Sequence, residues 1–169
     1  MPPLLKKVCM AGSFAVGKTS LVRRFVESIF DERYQTTVGV KIDKKLVQMD
    51  GQALTLVLWD LAGEDDLSQV RASHLRGAAG FILVVDGCRA RTLEAALDLE
   101  RRITHETGPV PFALALNKAD LAPEWEISAA TIDPLLRRGW TCTHTSAKNG
   151  LGVEDLFLSL ARKMLEAKE

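Results

Sequence analysis

The chain has 169 residues, about the size of one domain, and its 22 basic residues are matched by 22 acidic ones. A formal net charge of zero excludes a nucleic-acid binder that works by bulk charge. With 47% hydrophobic and 26% charged residues the chain can build a globular core, which excludes an extended, self-repelling polypeptide.

Residues 1–7 place their charges too close to the next apolar run to be a signal peptide. Residues 5–10 then read as a strand, and Gly12-Ser13-Phe14-Ala15-Val16-Gly17-Lys18-Thr19 follows it directly, before a helical segment over residues 17–28. Residues 40–49 mix apolar side chains with Lys41, Lys44 and Lys45, and Asp50-Gly51 is a hairpin turn dipeptide. Residues 40–49 should therefore pair antiparallel with 52–59, the lysine-bearing strand lying at or near the sheet edge. Trp59 closes the apolar run 54–59 and reads as core.

A helix is expected over about 65–76, then a strand over 81–86 within the longest apolar run, residues 78–85. That run falls well short of the roughly 20 residues a membrane-spanning helix needs. Helical period returns over 92–106, a strand over 110–116 and a strand over 140–144. Between the last two, a helix is expected somewhere within 128–138, where Pro134 either kinks it or, with Asp133 as cap, starts it. The final helix, 153–167, carries Val153, Leu156, Phe157, Leu160, Ala161 and Met164 on one stripe. Alternating apolar strands and helices predict an α/β fold with a mostly parallel sheet.

The loop 12–19 matches Gly-x4-Gly-Lys-Ser/Thr in the setting that pattern requires, after a strand and before a helix. Its glycines let successive N–H groups turn inward on an anion, and the helix behind adds partial positive charge. Lys18 offers a point charge to the outer phosphates and Thr19 a hydroxyl to Mg²⁺. Asn117-Lys118-Ala119-Asp120 follows the strand 110–116, at the carboxyl end where open α/β sheets bind ligands. A carboxylate there accepts two hydrogen bonds from the ring N–H and exocyclic amine of guanine, donors that adenine lacks on that edge. Thr145-Ser146-Ala147-Lys148 follows the strand 140–144.

Those three pieces, in that order, resemble the Ras superfamily of small guanine-nucleotide-binding proteins over essentially the whole chain. Tyr34-Gln35-Thr36-Thr37-Val38-Gly39-Val40, Trp59-Asp60-Leu61-Ala62-Gly63-Glu64 and Arg76-Gly77-Ala78 are most similar to Rab-type members. The resemblance implies one Ras-like G domain over 1–169, a P-loop GTPase with six strands, one of them antiparallel at the edge side, and five flanking helices. It implies GTP and GDP bound by Gly12, Ser13, Phe14, Ala15, Val16, Gly17, Lys18, Thr19 and Ser20. Phe30 would flank the guanine, which Asn117, Lys118, Asp120, Ser146, Ala147 and Lys148 would surround. Mg²⁺ would be the cofactor, held by Thr19, Thr37 and, through water, Asp60. Gly63 would meet the γ-phosphate, giving Lys18, Gly63 and Glu64 as the catalytic set. Effector and regulator proteins would engage switch regions 31–39 and 61–76, with no nucleic acid as partner.

Three residues depart from the family pattern. Glu64 stands where Gln usually orients the attacking water, and an ionised carboxylate accepts but cannot donate and faces phosphate of its own sign. Phe14 replaces a small residue, and its ring either crowds the γ-phosphate side or turns outward onto the switches. Leu61 replaces a Thr beside switch II. The expectation is slow GTP hydrolysis, with a GTP-bound interaction module of negligible turnover as the alternative. No cysteine follows Cys142 and Pro2 precludes N-myristoylation, so a cytoplasmic protein without a direct lipid anchor is expected, recruited to membranes only through a partner.

Two other clusters read as structural. Cys9, Cys88 and Cys142 are too scattered for a disulfide framework, and Cys142 with His144 has no second ligand pair nearby in sequence. Arg101-Arg102 and Arg137-Arg138 read as solvated helix faces.

Overall fold

A computed structural model describes residues 4–27, 40–61 and 72–167. Six strands form one sheet: β1 (Leu4–Ala11), β2 (Val40–Met49), β3 (Gln52–Leu61), β4 (Ala78–Asp86), β5 (Phe112–Asn117) and β6 (Cys142–His144). Their spatial order is β2-β3-β1-β4-β5-β6, with β2 antiparallel to β3 and every other neighbour parallel. The hairpin turns at Asp50-Gly51, and the lysine-bearing strand is the edge. The described helices are α1 (Lys18–Glu27), α2 (Ala72–Leu75), α3 (Arg91–Thr107), α4 (Ala129–Arg137) and α5 (Val153–Glu166). Of the helix expected over 65–76, residues 65–71 lie outside the described residues. Among the described residues no helix is long and apolar enough to cross a membrane.

The unbroken apolar strands are buried on both faces, which sorts their residues by alternation. Val8, Met10, Ile82 and Val84 face α1 and α5, joining Leu21, Phe25, Leu156, Phe157 and Leu160 in one core. Cys9, Ala11, Phe81, Leu83 and Val85 face the other way, against Leu93, Leu99 and Ile103 of α3 and Ile132 and Leu135 of α4. The rings of Phe25 and Phe157 stack at 4.2 Å and tie α1 to α5. Burial pushes the Cys9 thiol up to about 11 and its Sγ donates to the His74 carbonyl, so it packs as a small apolar group.

Several expectations need correction. Of the two expectations for Pro134, the start of a helix is overturned: Ser128 caps α4, accepting from Thr131 N–H, and the proline lies inside the helix. Ala130 and Pro134 are both exposed, so the carbonyl that loses its intrahelical donor is on the solvent side. Trp59 is half-buried, packed against the edge of the second core rather than enclosed in it, with Lys7 Nζ 3.6 Å above its ring. Strand β5 starts at Phe112 instead of 110, after Pro111, and β6 starts at Cys142 instead of 140, because Trp140 N–H closes on Leu135 O at the end of α4. A 3-10 turn over Ala119–Glu124, not anticipated, leads away from β5.

Chain connections leave β1 toward β3 on one side and return to β4 on the other. The carboxyl ends of β1, β3, β4 and β5 therefore lie along one edge of the sheet, the position at which open α/β sheets bind ligands.

Candidate functional site

The loop between β1 and α1 is shaped by backbone that only small residues tolerate. Gly12 has φ +155°, and a Cβ there would lie 2.5 Å from Val84 O. Gly17 has φ +105°, and its Cβ would lie 2.3 Å from Asn117 Nδ2. Ala15 adopts φ +62°, so the crown of the loop is left-handed. Such turns aim successive N–H groups inward and carbonyls outward. Lys18, 6% exposed, folds back along the loop and its Nζ donates to the carbonyls of Gly12 (3.1 Å) and Ser13 (3.2 Å). Phe14 and Ala15 are exposed at the crown; Val16 is buried beneath it. Ser20 is half-buried in the first turn of α1.

The second loop braces the first. Asn117, the last residue of β5 rather than part of the loop after it, donates from Nδ2 to Val16 O (2.9 Å) and accepts from Thr145 Oγ1 (3.0 Å). Lys118 has a left-handed φ of +70°, and its carbonyl accepts from Trp125 Nε1 (2.8 Å). Its Nζ donates to Ala15 O (3.2 Å) and to Asp86 Oδ2 (2.9 Å). Asp120, exposed, accepts from Ser146 Oγ at 2.8 Å. Ser146 and Ala147 are buried while Lys148 is exposed. Arg24 of α1 donates from Nε to Ala147 O (2.8 Å) and from Nη2 to Lys148 O, pinning the third loop to the helix behind the first.

Asp86 ends β4 and is 2% exposed. Burial would raise its carboxyl, but hydrogen bonds from Lys118, Arg89 and the Cys88 N–H outweigh that and hold it below the usual aspartate range. No motif flags Asp86, Arg24 or Trp125, and Thr145 entered only as the first residue of the third loop motif, with no role assigned. The available hint was an acidic residue closing an apolar strand, at 81–86.

On the other flank, Thr19 Oγ1 donates to Asp60 Oδ2 at 2.5 Å, and Asp60 is fully buried. The side chains are two hard oxygen donors side by side at the mouth of the loop, a donor set that suits Mg²⁺. Leu61, the last residue of β3, is buried in the core. Phe30, Thr37, Gly63 and Glu64 lie outside the described residues. The structure thus brings together Gly12 through Thr19, Asp60, Asn117, Lys118, Asp120, Ser146 and Ala147, positions up to 135 residues apart in the chain. His144 stacks on Trp125 at 5.3 Å, and among the described residues no group of three or more His, Cys, Asp or Glu is placed to hold a metal.

The pattern of the Ras family matches residues 7–166. Over 95% of its length the chain is 34% identical to Ras-related protein Rab-7L1 of Homo sapiens, covering 83% of that protein. It is 32% identical to Ras-related protein Rab-32 of Homo sapiens, over 95% of this chain and 75% of the relative. Ras-related protein Rab-13 of Bos taurus is likewise 32% identical, over 95% of this chain and 80% of the relative.

Proposed function

The chain belongs to the Ras family as a Rab-like GTP-binding GTPase, and from that premise we propose a Mg²⁺-dependent guanine-nucleotide switch with slow turnover. The observation that carries the reading is the bracing of the phosphate loop by the base loop: Asn117 on Val16 O and Lys118 on Ala15 O. A nucleotide whose phosphates sit in one loop and whose base meets the other spans a single rigid unit.

In this reading the inward N–H groups of residues 13–19 cradle the phosphates, and Lys18, its ammonium held by the carbonyls of Gly12 and Ser13, gives its remaining N–H to the outer phosphates. Asp120 accepts from the guanine ring N–H and amine, while Ser146 Oγ orients its carboxylate. Ser146, Ala147 and Lys148 close over the base, and Phe30 flanks it. Thr19 and Asp60, with Thr37, hold Mg²⁺, which when bound neutralises charge on the β- and γ-phosphates. Hydrolysis then rests on positioning and on charge stabilisation by Lys18 and loop N–H groups, with Gly63 at the γ-phosphate.

Glu64 makes that hydrolysis slow. An ionised carboxylate offers the attacking water no donor and is repelled by the γ-phosphate. Partners meet the two switch segments, 31–39 and 61–76. The hairpin between them supports such a surface, since Ile42 (48% exposed) lies opposite half-buried Trp59 and Leu46 is 54% exposed on the same face. Glu64 and Phe14 also favour the second reading, a GTP-loaded interaction module. Single-turnover hydrolysis of preloaded GTP separates the two: slow conversion to GDP over hours supports the switch. Bound GTP unchanged over days, with or without a candidate activator, supports the module.

A further inference from the structure

An inward-facing N–H cradle requires its carbonyls to face outward, and each of those carbonyls needs a donor or the peptide can rotate. From Gly12 to Gly17 every one has a donor. Lys18 takes Gly12 O and Ser13 O, Lys118 takes Ala15 O, Asn117 takes Val16 O, and the Leu21 N–H takes Gly17 O. Phe14 O, at the crown, accepts from Arg89 Nη2 at 2.8 Å. Four of the five donor residues belong to the loop motifs or the helix they open; Arg89 belongs to none.

Arg89 is built to hold that position. Its Nε donates to Asp86 Oδ2 at 2.9 Å, so one guanidinium spans the buried carboxylate and the loop carbonyl. A planar fork does this and a lysine ammonium does not. The backbone beneath it is fixed as well: Arg89 N–H donates to Asp86 O, Thr92 Oγ1 donates to Arg89 O, and Glu126 N–H donates to Gly87 O. Asp86 Oδ2 also takes Lys118 Nζ at 2.9 Å, so the clamps on Phe14 O and Ala15 O share one anion.

We propose that Arg89 is a positioning residue for the phosphate site, locking the Phe14 peptide so that the crown N–H groups stay aimed at the outer phosphates of a guanosine di- or triphosphate. This rests on the nucleotide reading above. The lock is preorganisation, and removing it charges the ordering of the crown to each binding event. Arg89 is 30% exposed, so the loss is that of one partly screened, charge-assisted hydrogen bond.

The test measures dissociation of a fluorescent GDP analogue and its displacement by unlabelled GDP and GMP. Arg89→Ala should release GDP about tenfold faster, equivalent to about 1.4 kcal/mol, while GMP, which lacks the outer phosphates, keeps its affinity within about twofold. Arg89→Lys should recover part of the loss. Arg91→Ala, at an exposed position two residues further on that opens α3, should match the unsubstituted protein. Asp86→Asn, which frees both clamps from their shared charge, should add less to Arg89→Ala than it costs alone. Arg89→Ala indistinguishable from the unsubstituted protein, or GMP weakened as much as GDP, overturns the assignment while leaving the nucleotide reading standing. Failure of the unsubstituted protein to bind GDP at all defeats that reading, and this inference with it.

Discussion

Gly17→Ala tests whether the phosphate and base loops act as one unit. The residue sits at φ +105°, where an L side chain costs about 1–3 kcal/mol. The added Cβ would also lie 2.3 Å from Asn117 Nδ2, displacing the amide that donates to Val16 O. Losing that bond costs about 0.5–1.5 kcal/mol. Both penalties distort the loop that the phosphates need in its braced shape, so relieving them by local rearrangement weakens nucleotide binding. Together they amount to about 1.5–4.5 kcal/mol, or roughly 10- to 1,600-fold weaker GDP at about 1.4 kcal/mol per decade. Equilibrium titration with fluorescent GDP reads this directly. Gly51→Ala is the control: it too has positive φ, +78°, but nothing lies within 4 Å of its Cβ, and it turns the distant hairpin. It should lower the melting temperature slightly and leave GDP affinity alone. Gly17→Ala that binds GDP within threefold of the unsubstituted protein would refute the reasoning.

Asp86 predicts an acid dependence. Its folded-state carboxyl lies below the ordinary value, so its contribution is complete above about pH 4 and is lost as pH falls through the folded value. At pH 7, Asp86→Asn should destabilise by about 1–2 kcal/mol, discounted because Lys118 and Arg89 are each about a third exposed. The gap from the unsubstituted protein should shrink as pH drops from 5 to 3, read as denaturant midpoints; a constant gap contradicts it. Phe157→Ala empties a site 1% exposed and unstacks Phe25, and should cost about 3–5 kcal/mol in urea unfolding. Glu64→Gln should speed single-turnover GTP hydrolysis by about tenfold or more, the worth of one well-placed hydrogen bond in the transition state. An unchanged rate would remove charge as the obstacle.

Local patterns carried the fold and half of the site. The unbroken apolar run Val8-Cys9-Met10 marks β1 as buried on both faces, as its split between the two cores bears out, and Asp50-Gly51 marks the hairpin. Gly12 through Thr19 were legible because their spacing encodes a loop geometry. What binds that loop from outside was not legible. Arg89 reaches Phe14 across 75 positions, Arg24 reaches Ala147 across 123, and neither contact leaves a local spacing. Asp133-Pro134 misled as a helix start because proline disfavours helix interiors, and burial of Ile132 and Leu135 on either side overrides that preference. Trp59 was legible only in part: it packs against the core as an aromatic in an apolar run should, but the lysine from β1 that covers its outer side leaves no local pattern.

The central claim is that the braced loops select a guanine nucleotide. Acid extraction of the freshly purified protein, with the released nucleotide identified by ion-exchange chromatography, tests it most directly. About one guanine nucleotide per chain is expected, a substantial part of it GTP. An adenine nucleotide, or an empty site that takes up neither GDP nor GTP, would contradict it.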